Sequence, residues 1–195
     1  MYNVIILKLS GLNKTFFLVL ALVVLAAFSA LFFFLGDFSE KTITKDCSYR
    51  IEKETVRGTS LSGLVEDGDE VFLHYGYFEC GEIERGDIVA YSYAGNENPI
   101  IKIIKAVPGD KFELKEEGGK WKILVNGESA KNSTGEEYVL GERAHKMLSL
   151  YERDYGGAIP SGAYLLLGNL AGGTLDSTHF GLVSKEDILG AILPY

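Results

Sequence analysis

An uninterrupted apolar stretch near the N-terminus constrains this chain more than any other feature. Residues 16–35 carry no charge, and Ser29 is their only polar side chain. These 20 residues are long enough to span a bilayer as one helix. A cleaved secretory signal is the alternative, but its apolar core is about 7 to 15 residues long and ends before a small-x-small site. The site of that kind at residues 27–29 lies inside the stretch. We therefore expect a retained transmembrane anchor, residues 16–36.

The charges on either side of the anchor predict its orientation. Residues 1–15 hold two lysines, Lys8 and Lys14, and no acid, whereas residues 37–57 hold five acids and five bases. Positively charged flanks stay in the cytoplasm. We therefore expect a short cytoplasmic N-terminus, a single pass through the cell membrane, and an extracytoplasmic domain at residues 37–195.

The charge of that domain excludes one class of partner. The whole chain has a formal net charge of −8, and without the two N-terminal lysines 17 basic and 27 acidic residues leave −10. An acidic surface disfavours binding to nucleic acid and to anionic lipid head groups. Contact of the domain with the lipid bilayer would have to be apolar.

From Cys47 onward, apolar residues recur with period two more often than 3.6, which indicates a mostly β domain. One helix is a candidate, Glu136–Leu150, although this segment could equally be an extended insertion. Trp121 and the aromatic residues of 72–78 are expected to pack in the core, or in part to meet the bilayer. The expected strands are Tyr49–Val56, Glu70–Phe78, Asp87–Tyr93, Ile100–Val107, Lys111–Lys115, Trp121–Val125, Tyr164–Leu167 and Leu189–Leu193.

Two cysteines, Cys47 and Cys80, fall on the exported side. Thiols in that compartment are usually oxidised, so a single disulfide is expected. A zinc site would need more ligands at recognisable spacing than two distant cysteines and three scattered histidines provide. We therefore expect neither a metal nor another cofactor.

Three segments bear residues suited to catalysis. Ser60 lies in a turn bounded by glycines, Lys102 lies in an apolar run that alternates as a strand, and residues 168–181 follow near the C-terminus. Taken alone, Lys102 is either an outward-facing strand residue or a buried one. Burial would remove the solvation of its ammonium group, lower its pKa and make it a base.

The order of these segments resembles the type I signal peptidases, membrane-bound serine proteases with a serine and lysine pair. The family's first segment is glycine, any residue, serine, methionine, any residue, proline, and then glycine and aspartate after four more residues. Here Gly68 and Asp69 lie eight and nine residues after Ser60, so the spacing is intact. Residues 85–89, Arg-Gly-Asp-Ile-Val, resemble the family's next strand, and Lys102 precedes a Pro-Gly-Asp turn by six residues, as the family's base does.

The resemblance extends to the C-terminal part and covers nearly the whole chain. Residues 159–164, then Gly168-Asn169 and Asp176-Ser177, resemble the family's last conserved region. On this alignment Thr174 takes the place of the small hydroxyl residue that hydrogen-bonds the lysine, and Asp176 is a supporting residue. The implied fold is a signal-peptidase-like antiparallel β-sheet or barrel with one N-terminal transmembrane helix.

The chain also departs from the family pattern. Leu61 replaces methionine, Gly63 replaces proline, Ile103 stands where arginine commonly follows the lysine, and residues 168–171 lack the family's charged residues. Because of these changes, the sequence does not indicate which residues brace the site. The groups that would do chemistry are all present: Ser60, Lys102 and Thr174.

The resemblance implies a mechanism in which neutral Lys102 takes the hydroxyl proton of Ser60 as Ser60 attacks a peptide carbonyl. The Ser60 backbone N–H would stabilise the oxyanion. Some family members add a serine hydroxyl two residues earlier, where this chain has Gly58, so no side-chain donor is expected there. His74, His145 and His179 are expected to have packing or surface roles.

The implied substrates are signal peptides of exported pre-proteins, with small side chains at positions −3 and −1, bound extended against a sheet edge. From proximity in sequence, Leu61, Ile101 and Val107 are candidates for the pocket floors. Two alternatives remain open at this point. One is a related Ser-Lys protease that matures pilin or conjugation proteins, and the other is a catalytically inactive, anchored β interaction domain.

Overall fold

Two antiparallel β-sheets form the framework of the described residues. A computed structural model describes residues 48–93 and 98–193, which belong to one compact unit, residues 42–195. The predicted anchor, residues 16–36, and the N-terminus before it lie outside the described residues. In the described ranges, no helix is long and apolar enough to cross a membrane.

The structure confirms the prediction of a mostly β domain. Within the described ranges it has two α-helices, α1 (Glu142–Asp154) and α2 (Ser177–Phe180), and two short 3-10 helices, Tyr77–Glu79 and Lys185–Asp187. The strands are β1 (Arg50–Thr55), β2 (Glu70–Tyr75), β3 (Ile88–Tyr91), β4 (Ile100–Ala106), β5 (Phe112–Glu117), β6 (Lys120–Val125), β7 (Glu128–Ser129), β8 (Val139–Leu140), β9 (Ala163–Leu167), β10 (Val183–Ser184) and β11 (Ile188–Ile192).

The larger sheet has seven strands in the order β1-β2-β11-β3-β4-β9-β10, so β1 is at one edge. The smaller sheet is formed by β5, β6 and β7, with β8 also paired to β6. Helix α1 packs on this sheet, where its Leu148 is fully buried in the same cluster as Phe112 and Ile123. The smaller sheet and α1 therefore form a second layer with a core of its own.

Strand β9 lies between the two main cores. Leu165 and Leu167 are buried in the cluster under the smaller sheet, whereas Tyr164 and Leu166 are buried in the cluster of the larger sheet. Alternate residues of a strand point to opposite faces, so one strand can serve both cores. This explains why the segment is apolar throughout, and it fixes the residues that follow Leu167 between the two layers.

Three predicted boundaries are wrong by three residues or more: the end of the strand at Glu70–Phe78 and both ends of the helix, which ends at Asp154 and not at Leu150. Strand β2 ends at Tyr75 rather than at Phe78, because the consecutive residues Tyr77 and Phe78 are both buried in a 3-10 helix, and a strand cannot point neighbours to one core. The helix begins at Glu142 rather than at Glu136, because residues 139–140 pair with β6 as β8.

Other predictions concern single side chains. Cys80 is disulfide-bonded, as expected, while Cys47 lies outside the described residues. Trp121 packs against the core under the smaller sheet and stacks on His145, with ring centroids 3.8 Å apart. The ring of His74 contacts Tyr49, with centroids 5.2 Å apart. These contacts agree with packing roles for Trp121, His74 and His145.

Candidate active site

Ser60 lies in the turn segment that joins β1 to β2. Hydrogen bonds between backbone groups of Val56 and those of Gly68 and Asp69, at 2.9 and 2.8 Å, close the base of this segment. Inside it, Leu61 is almost fully buried, with 2% of its surface exposed. Because its neighbour Leu61 is anchored in this way, the backbone of Ser60 has a defined position at the surface of the larger sheet.

Gly63 shows why this chain departs from the family's proline. Its φ is +88°, a left-handed value that the ring of proline, fixed near −65°, cannot adopt. Its N–H also donates to the side chain of Glu66 at 2.8 Å, and proline has no such donor. The turn after Ser60 is therefore built differently here, with a glycine and a carboxylate in place of a rigid ring.

Lys102 lies in the middle of β4, where its backbone is paired with Val89 of β3. Only 2% of its surface is exposed. Its Nζ lies 2.8 Å from Ser60 Oγ and 2.8 Å from the carbonyl oxygen of Ile101. The structure thus brings Ser60 and Lys102, 42 positions apart in sequence, into direct contact.

Burial sets the protonation of this lysine. Loss of solvation lowers the pKa of Lys102 from 10.5 to about 8, and the negative charge of Asp176 opposes that change. Desolvation is the larger of the two effects. An appreciable fraction of Lys102 is therefore neutral near physiological pH and able to accept a proton.

Asp176 is the centre of the hydrogen bonds beside the pair. It is almost fully buried and caps α2, accepting at Oδ1 from the N–H and hydroxyl of Thr178 at 3.0 and 2.7 Å. At Oδ2 it accepts from the N–H of Gly168 at 3.0 Å and from the hydroxyl of Thr174 at 2.6 Å. The carboxylate therefore has four donors, all of them neutral.

These bonds correct the expected role of Thr174. Its hydroxyl donates to Asp176, whereas the hydrogen bonds that Lys102 makes to described residues go to Ser60 and Ile101. The ionised carboxylate of Asp176, two residues away, is a strong acceptor, so the Thr174 hydroxyl donates its hydrogen bond there. Thr174 therefore lines the same cavity as Ser60 and Lys102, but its hydrogen bond goes to Asp176 and not to the lysine.

The backbone N–H of Ser60 is available as a donor. Among the described residues, no acceptor is found for the N–H of Ser60. The N–H of Gly58 is occupied by Asp67 Oδ1 at 2.7 Å. Gly58 offers no side-chain donor, so a charge that develops on a carbonyl oxygen near Ser60 Oγ would meet the Ser60 N–H.

An open cavity of about 600 Å³ surrounds the pair. Its walls are the end of β1 with the turn up to Leu61, the start of β4 at 98–102, and residues 170 and 173–175. Leu61 and Ile101, two candidates for pocket floors, line it, but Val107 does not. Val107 instead packs against the core of the larger sheet, so proximity in sequence misplaced it.

Gly168 lies where the segment after β9 passes closest to Ser60. A Cβ at this position would come within 2.3 Å of Thr174 Oγ1 and 2.8 Å of the carbonyl oxygen of Ser60. Real Cβ contacts are never that short, so a side chain would displace one of these two groups. The glycine therefore lets the end of β9 approach both sides of the site.

Asn169 lies in the segment that resembles the family's last conserved region, but the sequence did not indicate what it contacts. It is buried, with 2% of its surface exposed, and it hydrogen-bonds both the turn that holds Ser60 and the loop at 132–133. The partners are at least 36 positions from it in sequence, so no local spacing announces them. Asn169 therefore braces the site in a segment that lacks the family's charged residues.

Among the described residues, no group of three or more His, Cys, Asp or Glu side chains could hold a metal ion. His179 contacts the hydroxyl of Thr178 at 3.1 Å, and no histidine is hydrogen-bonded to Ser60 in these ranges. The base in contact with Ser60 is therefore the lysine.

A serine hydroxyl held by a buried lysine in an open cavity is the arrangement of a Ser-Lys hydrolase. A family model described as signal peptidase, peptidase S26, matches residues 12–195. The chain therefore belongs to the signal peptidase family, and the resemblance seen in its sequence is confirmed.

Individual relatives agree with this family. Signal peptidase IB of Staphylococcus aureus strain COL is 29% identical over 147 residues, which are 71% of this chain and 73% of the relative. Signal peptidase I of Bacillus amyloliquefaciens is 27% identical over 146 residues, 73% of this chain and 72% of the relative. The crystal structure of a signal peptidase I from Enterococcus faecalis V583 matches with a TM-score of 0.41 and 21% identity, over 57% of this chain and 97% of that one.

Proposed function

We propose that this protein is a serine endopeptidase that removes N-terminal signal peptides from exported pre-proteins, with Ser60 as nucleophile and Lys102 as general base. One observation carries the assignment of roles. The Nζ of a buried lysine lies 2.8 Å from the Ser60 hydroxyl at the wall of an open cavity. Membership of the signal peptidase family supplies the substrate class.

The acylation step follows from the protonation of the pair. In its neutral form Lys102 donates to the Ile101 carbonyl, 2.8 Å away, and keeps its lone pair for the Ser60 hydroxyl, which then donates to Nζ. The amine takes the Ser60 proton as Oγ attacks the carbonyl carbon before the scissile bond. The resulting ammonium returns that proton to the leaving amine, and the acyl-enzyme remains on Ser60.

The tetrahedral intermediates need a donor for the oxyanion. The Ser60 N–H has no acceptor among the described residues, and it belongs to the nucleophile's own turn. A preorganised N–H costs no rearrangement when the charge develops. In deacylation, neutral Lys102 activates a water molecule at the same place, and the departing Ser60 oxygen recovers the proton.

Substrate binding is assigned to the cavity beside the edge of the larger sheet. Strand β1 is an edge strand, and its residues 53–55 line the cavity with Val56 and the start of β4. An extended peptide can add to such an edge through main-chain hydrogen bonds and place alternate side chains in pockets. Leu61 and Ile101 restrict the space beside the pair, which supports small side chains at positions −1 and −3.

The same proposal includes attachment to the cell membrane. The apolar stretch at residues 16–35 supports a single-pass anchor with the N-terminus in the cytoplasm and the catalytic domain on the outer face. The family match begins at residue 12 and so includes this stretch. An anchor would hold the lipid-proximal substrate and the domain together and raise their effective concentration.

The test is cleavage of a pre-protein with a small-x-small site by the full-length, detergent-solubilised protein. We expect cleavage at that site, its complete loss in Ser60→Ala, and most of the activity in Ser62→Ala. Ser62 shares the turn, but among the described residues its hydroxyl has no hydrogen bond to a base. An active Ser60→Ala protein, or an inactive Ser62→Ala protein, would contradict the assignment.

A further inference from the structure

Every polar atom of Asn169 is hydrogen-bonded, and its partners belong to two separate parts of the fold. The residue follows β9 and Gly168 directly and is almost fully buried. Both side-chain N–H groups donate, and the side-chain oxygen accepts. A buried amide that is satisfied at every atom has one orientation, because any rotation would leave a polar atom unpaired.

One side of Asn169 holds the nucleophile's turn. Its backbone N–H donates to the carbonyl oxygen of Ser60 at 2.6 Å. Its Nδ2 donates to the carbonyl oxygen of Ser62 at 2.8 Å. These two acceptors lie on either side of Leu61, so the bonds fix the backbone that immediately follows the Ser60 side chain.

The other side of Asn169 rests on the loop at residues 132–136. The backbone N–H of Ser133 donates to Asn169 Oδ1 at 2.9 Å, and Asn169 Nδ2 donates to Ser133 Oγ at 2.7 Å. Asn132 Nδ2 donates to the backbone oxygen of Asn169 at 3.1 Å. The turn that carries Ser60 is thereby tied to the part of the chain that forms the smaller sheet.

This loop is rigid enough to act as a support. Asn132 Oδ1 accepts from the backbone N–H groups of Thr134 and Glu136 at 3.0 and 2.9 Å and from the Thr134 hydroxyl at 2.8 Å. Asn132 is itself 9% exposed, and its Nδ2 is engaged by Glu136. Its side chain therefore folds the loop internally, and the Asn-Ser-Thr pattern at 132–134 serves structure.

We propose that Asn169 is a positioning residue that holds Ser60 in register with Lys102, and that the loop at 132–136 is its support. The proposal rests on the proposed function. The amide is required as such, because an aspartate of the same shape would lose both side-chain donors and put a negative oxygen against the Ser62 carbonyl. Lys102 is fixed independently by β4 and by Ile101, so only the nucleophile should move.

The test is Asn169→Asp in the full-length enzyme, with cleavage of one peptide measured against substrate concentration and pH. We expect kcat to fall about 100-fold, the cost of misplacing a reacting group by about 1 Å. KM should stay within about twofold, because among the described residues Asn169 does not line the cavity. The midpoint of the pH profile should stay near that of the wild type, since Lys102 remains buried.

A milder pair of variants keeps the test decisive if Asn169→Asp does not fold. Ser133→Ala removes one acceptor of Asn169 Nδ2 and should lower kcat about threefold to tenfold. Its matched control is Ser149→Ala on α1, which should leave kcat unchanged, because among the described residues the Ser149 hydroxyl bonds only the Lys146 carbonyl. Thermal melting of each variant gives the folded fraction.

The outcomes separate the inference from the proposed function. A folded Asn169→Asp enzyme with the wild-type kcat would overturn the inference. A lower kcat together with a changed midpoint of the pH profile would also overturn it, because that combination indicates that water has entered the site around Lys102. If Asn169→Asp fails to fold, an unchanged kcat in Ser133→Ala overturns it. Cleavage by the wild type and its loss in Ser60→Ala support the proposed function whichever result Asn169 gives.

Discussion

The pH dependence of cleavage tests the burial of Lys102 directly. In the proposed mechanism the base is the neutral amine of Lys102, whose pKa is lowered by desolvation to about 8, against an ordinary value of 10.5. Between pH 6 and pH 8 the neutral fraction then rises from about one hundredth to one half. We therefore expect kcat/KM to rise about 50-fold over that range and less than about twofold from pH 8 to pH 10. A lysine with the ordinary pKa would give a rise of about tenfold per pH unit up to pH 9 and only a little less from pH 9 to pH 10.

The assay is cleavage of a fluorogenic peptide with a small-x-small site, at concentrations well below KM. The wild type is measured from pH 6 to pH 10, and thermal melting at each pH shows where the protein stays folded. A profile that keeps rising tenfold per pH step up to pH 10 would refute the argument that burial lowers the pKa. A flat profile from pH 6 upward would remove lysine from the mechanism and return the search to the histidines.

Three further predictions use single substitutions. Lys102→Arg should be inactive because a guanidinium cannot give up its proton in this pH range. The control is Lys105→Arg, which should retain near wild-type kcat/KM, because the Nζ of Lys105 bonds the backbone oxygen of Lys131. An active Lys102→Arg enzyme would contradict the base assignment. Lys102→Met should be more stable than the wild type at pH 7, by up to about 3 kcal/mol in chemical denaturation. The pKa of Lys102 is lower in the folded protein than in the unfolded one, so the unfolded wild type binds more protons between about pH 8 and 10.5. The stability of the wild type should therefore rise over that range, and its stability difference from Lys102→Met should shrink. A stability difference that does not change with pH would argue against a titrating buried lysine. Gly63→Pro, which restores the family's residue, should lower the free energy of unfolding by more than about 1 kcal/mol, because its φ of +88° and its N–H to Glu66 are incompatible with proline; an unchanged melting temperature would refute this.

The sequence predicted the long strands and the pair at the site for different reasons. Strands such as β4 and β6 are seven and six residues long and rich in β-branched or aromatic side chains, but β7, β8 and β10 are two residues long and are too short to have a period. They form because tertiary neighbours offer partners, as β6 does for β8. The early start predicted for the helix has the same origin, since residues 139–140 were counted in it.

The residues of the site were likewise predictable only where the signal is local in sequence. Ser60 and Lys102 were found because their spacing to neighbouring turns, which is a local property of the chain, resembles that of the type I signal peptidases. The role of Asn169 was not predicted, although the residue lies in a matched segment, because its partners Ser62 and Ser133 lie 107 and 36 positions away and only the packing of the layers brings them together. The hydrogen-bond partner of Thr174 was misassigned because the family's motif specifies a residue with a hydroxyl but does not specify which group that hydroxyl bonds.

The hydrogen bonds of Asp176 explain how a carboxylate can lie beside the base without disabling it. A direct ion pair would favour the ammonium form and raise the lysine's pKa, so the base would be fully protonated near neutral pH. In the described residues Lys102 and Asp176 form no salt bridge, and the carboxylate instead accepts from four neutral donors, two of which are the hydroxyls of Thr174 and Thr178. Since those donors occupy both oxygens, the lysine is left to Ser60 and to the Ile101 carbonyl. We infer that the two threonines serve the base indirectly, by solvating the charge that would otherwise pair with it.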